Sequence, residues 1–116
     1  MPLLTMPLPP LPFFCSLSAT MKFWGLEVKN GESHDVILGK GNILKLSLAS
    51  LGEIKEEIEE SVSLNIIADR KKIVVGTLHS KRQPQQSFQY LFSEDFRISH
   101  DRKHGSVYFY GIKLES

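Results

Sequence analysis

From residue 21 onward the chain alternates. In Met21-Lys22-Phe23-Trp24-Gly25-Leu26-Glu27-Val28-Lys29-Asn30, Trp24, Leu26 and Val28 fall on one side of a period-two repeat and Gly25, Glu27 and Lys29 on the other. That is the pattern of a strand with one face in a core and one in water. Asn30-Gly31 follows, a strong turn pair because both residues tolerate positive φ. A one-residue slip would put Trp24 in water, so this strand should pin the register of its sheet. Ile43–Ser50 repeats the pattern, with Leu44, Leu46 and Leu48 opposite Lys45, Ser47 and Ala49. Val62, Leu64 and Ile66 alternate with Ser61, Ser63 and Asn65, and Asp69-Arg70 is placed to turn the chain. Ile73–Leu78 is more continuously apolar, which predicts a strand covered on both faces. Phe88, Tyr90 and Phe92 share a face, and Phe96 and Ile98 make a short strand. Gly105–Leu114 closes the pattern with Val107 and Phe109 on one face and Tyr108, Tyr110 and Ile112 on the other.

Two stretches are less regular. Gly31–Asn42 is polar and reads as a turn region around a short apolar step, Val36-Ile37-Leu38; its glycines are too few for a phosphate-cradling loop. In Leu51–Glu60, Leu51, Ile54 and Ile58 have helical spacing and Ser50 with Glu53 could form a capping box. Local pattern there predicts a short helix, with a loop as the alternative. Short strands separated by polar turns predict an all-β sandwich or barrel. A last strand that is apolar on both faces needs cover for its outer side, since a patch of that kind is rarely left in water. Tyr108 and Tyr110 are therefore the candidate subunit interface.

Composition narrows this reading. Residues 1–20 hold five prolines and no charged side chain, which predicts a disordered, extended leader ahead of a single domain over residues 21–116. The leader has an apolar run at Leu11–Leu17 but no basic n-region, against the pattern of a signal peptide; Met21 reads as the natural start. No stretch approaches the length of a membrane-spanning helix, and no membrane partner is expected. A net charge of +1 argues against a strongly basic nucleic-acid binder. The single cysteine, Cys15, excludes a disulfide framework and a cysteine-ligated zinc site within the domain.

The strand patterns also carry a resemblance. Phe23-Trp24-Gly25-Leu26-Glu27-Val28-Lys29, Ala49-Ser50-Leu51-Gly52-Glu53, Val75-Gly76-Thr77-Leu78, Ser99-His100 and Gly105-Ser106-Val107-Tyr108-Phe109 follow in the order of the plant nucleoplasmin-like proteins. The chain resembles the nucleoplasmin-like domain of the HD-tuin histone deacetylase family and of FKBP-type prolyl isomerases. The resemblance implies a jelly-roll β-sandwich that assembles as a homopentamer, which can stack as a decamer. It also implies a loop rather than a helix at Leu51–Glu60, and a nuclear, nucleolar place in chromatin regulation.

Glu53, Glu56, Glu57, Glu59 and Glu60 crowd one segment; repeated round a ring they would make a field for core histones. Histone binding of the chaperone type is the expected function. The alternative is histone deacetylation, with a role in transcriptional repression. In the HD-tuin pattern, the proposed catalytic histidine and aspartate correspond here to Lys45 and Gln89. Lysine is ordinarily protonated near neutral pH and glutamine cannot act as a base, so no catalytic residue and no cofactor are expected. His100 and His104 could pair on a helix, but no ligand set accompanies them; no metal is expected. The basic runs Arg70-Lys71-Lys72, Lys81-Arg82 and Arg102-Lys103-His104 fall in expected turns, as solvated side chains, and direct nucleic-acid binding is disfavoured. Ser99-His100-Asp101 reads as a turn and not as a triad, whose members meet through folding.

Overall fold

The structure, a computed structural model, describes residues 20–55 and 58–115. Eight strands follow the alternation: β1 (Thr20–Val28), β2 (Ser33–Val36), β3 (Ile43–Leu51), β4 (Ser61–Ala68), β5 (Lys71–His79), β6 (Gln85–Phe92), β7 (Phe96–His100) and β8 (Val107–Glu115). They form two antiparallel four-stranded sheets, sheet A in the order β1-β8-β3-β6 and sheet B in the order β2-β7-β4-β5. No helix lies among the described residues; after β3 ends at Leu51, residues 52–55 and 58–60 are loop, as the resemblance implies, with one turn-like bond from the Ile58 N–H to the Lys55 carbonyl. None of the described helices is long and apolar enough to cross a membrane, there being none. Apart from Thr20, which opens β1, the expected leader lies outside the described residues.

The inner faces make one core. Val28, Leu44, Leu46, Val107 and Phe109 of sheet A meet Val62, Leu64, Leu78, Phe96 and Ile98 of sheet B, all buried, with Trp24 and Leu26 packed at the margin. Gly111 lies opposite Trp24 on β1 and Leu46 on β3, and a side chain there would run into the Lys45 carbonyl. Phe109, buried completely beside it, should cost about 3–5 kcal/mol if cut to alanine.

Three expectations are corrected. The Gly31–Asn42 turn region contains β2, whose Val36 enters the core while Leu38 follows it; one inward residue in four is too little period to read. In β3 a bulge between Leu46 and Leu48 reverses the later half, so Ala49 and Leu51 are buried while Leu48 faces outward opposite Tyr110. Strand β5 is an edge of sheet B and is not covered on both faces: Ile73 and Val74 stand more than half exposed. Its open side is partly closed by β6, where Gln86 accepts from the Thr77 N–H and the Tyr90 hydroxyl donates to the Val75 carbonyl. The Asp69-Arg70 turn forms as expected, both residues at positive φ.

Candidate functional site

The outer face of sheet A carries large apolar side chains. Antiparallel register puts Phe23 opposite Ile112, Met21 opposite Leu114, and Gly25 opposite Tyr110 on the β1 side. On the β3 side Ile43 meets Leu114 and Leu48 meets Tyr110, and Lys45 joins Ile112 to Leu91 of β6. Phe23 is 90% exposed and Leu91 70%, with Met21, Tyr110, Ile43 and Leu114 also open to water. The rings of Tyr108 and Tyr110 stack at 6.5 Å on this face. The Phe23-Trp24-Gly25 motif is thus divided by function: Phe23 faces out, Trp24 faces the core, and Gly25 leaves room beneath the Tyr110 ring. Glu27 lies beside Tyr108 and raises its hydroxyl pKa by charge repulsion, while accepting a hydrogen bond from Ser106.

The acidic segment is held at the end of sheet B. Glu53 is exposed. Glu59 approaches the His79 ring at 3.3 Å, and His79 Nδ1 accepts from the N–H groups of Lys81 and Arg82. Glu60 pairs with Arg102, Nε to Oε2 at 3.1 Å; its carbonyl accepts from the Ser80 N–H, and its own N–H donates to the Ser80 hydroxyl. Glu56 and Glu57 lie outside the described residues. Arg102 is a further correction, since it is 3% exposed rather than solvated. Its other donors reach the Ser106 carbonyl and the Glu53 carbonyl, each at 2.6 Å. His100 is buried at the end of β7 rather than in a turn; its Nε2 bonds to the Val28 carbonyl at 2.7 Å and its Nδ1 accepts from the Arg102 N–H. Burial holds the His100 pKa below the ordinary histidine value. The sequence hides this cluster because Val28, Glu53 and Glu60 lie tens of residues from His100 and Arg102; a local sign is Gly105, where a Cβ would meet the Arg102 guanidinium at 3.0 Å.

The two positions set against the HD-tuin catalytic pair do come together. Lys45 and Gln89 line one shallow groove of about 370 Å³ with Ser47, Ser87 and Phe88. That lining offers donors and hydroxyls but no carboxylate or imidazole. Among the described residues no three His, Cys, Asp or Glu side chains gather as a metal set.

With this geometry in view, the comparisons fit. The family model of the nucleoplasmin-like domain matches residues 23–114. The histone deacetylase HDT1 of Solanum chacoense is 54% identical over 93 residues, covering 80% of this chain and 35% of that protein. The histone deacetylase HDT2 of Zea mays is 42% identical over 95 residues, covering 82% of this chain and 31% of its own length. The chain thus spans about a third of the plant relatives it matches. The Drosophila NLP core, whose crystal structure gives insight into its pentamer formation and histone binding, superposes with a TM-score of 0.65 at 22% identity, over 80% of this chain and 98% of that one. The nucleoplasmin-like N-terminal domain of Drosophila FKBP39 superposes at 0.58 and 22% identity, over 79% and 87%. By the match over residues 23–114 and the eight-stranded sandwich that carries it, the chain belongs to the nucleoplasmin-like domain family.

Proposed function

We propose that this domain assembles into a ring of identical copies and binds core histones as part of a chromatin-regulating protein. The observation that carries the proposal is the outer face of sheet A, where Phe23, Leu91 and their neighbours stand in water as an apolar surface that a free-standing domain rarely keeps. Ile73 and Val74, on opposite faces of the β5 edge strand, supply a second, separate apolar rim. Two unlike patches suit a head-to-tail contact, and head-to-tail contacts close into rings. A pentamer, alone or stacked as a decamer, is the ring we propose, with Tyr108 and Tyr110 near the contact. Repetition round the ring multiplies the acidic charge offered by Glu53 and Glu59, with Glu56 and Glu57 proposed to add to it, and favours basic partners. Glu60 contributes less, being turned inward to Arg102. A nuclear and nucleolar place accompanies this reading and is checked by imaging a fluorescent fusion.

The second reading follows from the relatives' names, histone deacetylases. We propose that this chain alone does not deacetylate, because Lys45 and Gln89 give the groove no base. Light scattering of the purified chain, with and without core histones, tests assembly and histone binding together. A discrete oligomer that gains mass with histones supports the proposal; a monomer that ignores them refutes it. Acetate release from acetylated histone peptides above a heat-killed control would favour the enzyme.

A further inference from the structure

The cluster around Arg102 is built to one pattern and serves neither the apolar face nor the groove. Its guanidinium donates three bonds to described residues: Nη2 to the Glu53 carbonyl, Nε to the Glu60 carboxylate, and Nη1 to the Ser106 carbonyl. Glu53 and Glu60 are the two sides of the acidic segment, and Ser106 is the residue before β8. One buried side chain therefore ties both sides of that segment to the sandwich. The Ser106 carbonyl also accepts from the Gly52 N–H at 2.9 Å. Gly105, at φ 148°, leaves the space that the guanidinium occupies.

His100 sets the position of Arg102. A backbone N–H can only donate, so Nδ1, which receives the Arg102 N–H at 3.0 Å, is unprotonated. The proton of the neutral ring is then on Nε2, which donates to the Val28 carbonyl of β1. The charged groups facing the ring are Asp101 and Arg102 beside it and Glu60 across it. A proton added to Nδ1 would turn that acceptor into a donor pointing at another donor, and would place a cation beside the guanidinium. The ring cannot keep both of its bonds in that state.

We propose that His100 and Arg102 form an acid-sensitive clasp, which holds Glu53 and Glu60 against the sandwich at neutral pH and lets them go when Nδ1 of His100 takes a proton. The clasp is independent of what the acidic segment binds, and it stands or falls apart from histone binding.

Hydrogen exchange read by NMR on the full chain tests it. The reporters are the amides of Gly52, Glu60 and Ser80, bonded to Ser106, Ser80 and Glu60 in turn; the reference is the amide of Phe109 in the core. From about pH 7.5 to about pH 5, across the ordinary histidine value, the reporters should lose protection relative to Phe109. A single-proton linkage gives up to about tenfold per pH unit. The imidazole nitrogens should show the Nε2–H form at neutral pH and titrate with the midpoint of that loss. His100→Asn keeps an acceptor for the Arg102 N–H without a titrating group, and should flatten the pH response. Arg102→Lys loses the fork and should leave the reporters unprotected already at pH 7.5. Reporters that fall in parallel with Phe109, that do not fall, or that fall with a midpoint unlike that of the ring would overturn the proposal. So would an unchanged pH response in a folded His100→Asn variant.

Discussion

Across the outside of sheet B run Ser33, Asp35, Arg97, Ser99, Asn65, Ser63 and Thr77, with Ile67 and Val74 as its apolar members toward the β5 edge, and across the outside of sheet A run Phe23, Ile112, Tyr110, Leu48 and Leu91. Both sheets have four antiparallel strands and both lend their inner faces to one core. Their outsides differ in kind. The β2-β7 side of sheet B is polar and paired: Asp35 and Arg97 meet at 2.8 Å, which lowers the Asp35 pKa through the hydrogen bond and charge of the arginine. At its end the Ser63 N–H donates to the Asp101 carboxylate, and the Arg102 guanidinium donates to Glu60 and two carbonyls. Sheet A is left apolar in water, and a fold whose other sheet shows how polar an outer face can be has no need of that for folding alone. On the function proposed above, the difference separates a surface that folding alone accounts for from one that assembly would cover.

The largest test of that division puts charge on each face. Phe23→Asp with Leu91→Asp should abolish self-association while leaving the thermal transition in place. Buried interface anchors are worth about 2–4 kcal/mol each on truncation, and an unpaired charge adds to the loss. A matching pair on the β2 side of sheet B, away from the β5 edge, Ser33→Lys with Ser99→Asp, should leave the oligomer intact by light scattering. Next in size is Arg102→Ala, which leaves the Glu60 carboxylate without its cation in a nearly buried place. Urea unfolding should show a loss of about 3–5 kcal/mol, read as a fold defect with association falling only as folding does.

Acid comes third. The His100 pKa is lowered in the fold mainly by burial, so the unfolded chain takes up the proton first as pH falls. The histidine's contribution to stability is whole above the ordinary value of about 6.5 and is lost as pH falls through that value toward the folded one. Denaturation midpoints should decline over that window, and His100→Asn should remove the part of the decline due to this ring. The smallest effect is on histones: Glu53→Gln and Glu59→Gln should each weaken binding by less than about tenfold, since exposed charges act weakly one at a time. Those losses should shrink further as salt rises.

Much of this architecture is legible in the residues because alternation reports a face directly. Trp24-Gly25-Leu26-Glu27-Val28 and Val107-Tyr108-Phe109 say which side is core, and the structure has those sides as read. Alternation fails where the backbone departs from it. The bulge after Leu46 exchanges Leu48 for Ala49, and nothing in a run of Leu-Ser-Leu-Ala announces the extra residue. It fails at β5 as well, since an apolar run has the same letters whether a neighbouring strand or a neighbouring molecule covers it. The candidate site was half legible. Tyr108 and Tyr110 stood out as aromatics on the wrong face of a strand, but Phe23 and Leu91, the most exposed members of that patch, become its centre only through register. Arg102 was hidden for another reason: in a polar run an arginine reads as solvated, and its burial depends on Glu53, Glu60 and the space at Gly105.

The central claim is that the outer face of sheet A is made to be covered by further copies of this chain. Light scattering of the wild-type chain and of the Phe23→Asp, Leu91→Asp variant, side by side at micromolar concentration, measures it most directly. The account predicts one discrete oligomer, most consistent with five copies, for the wild type and a folded monomer for the variant. A wild type that stays monomeric, or a variant that assembles as the wild type does, would contradict it.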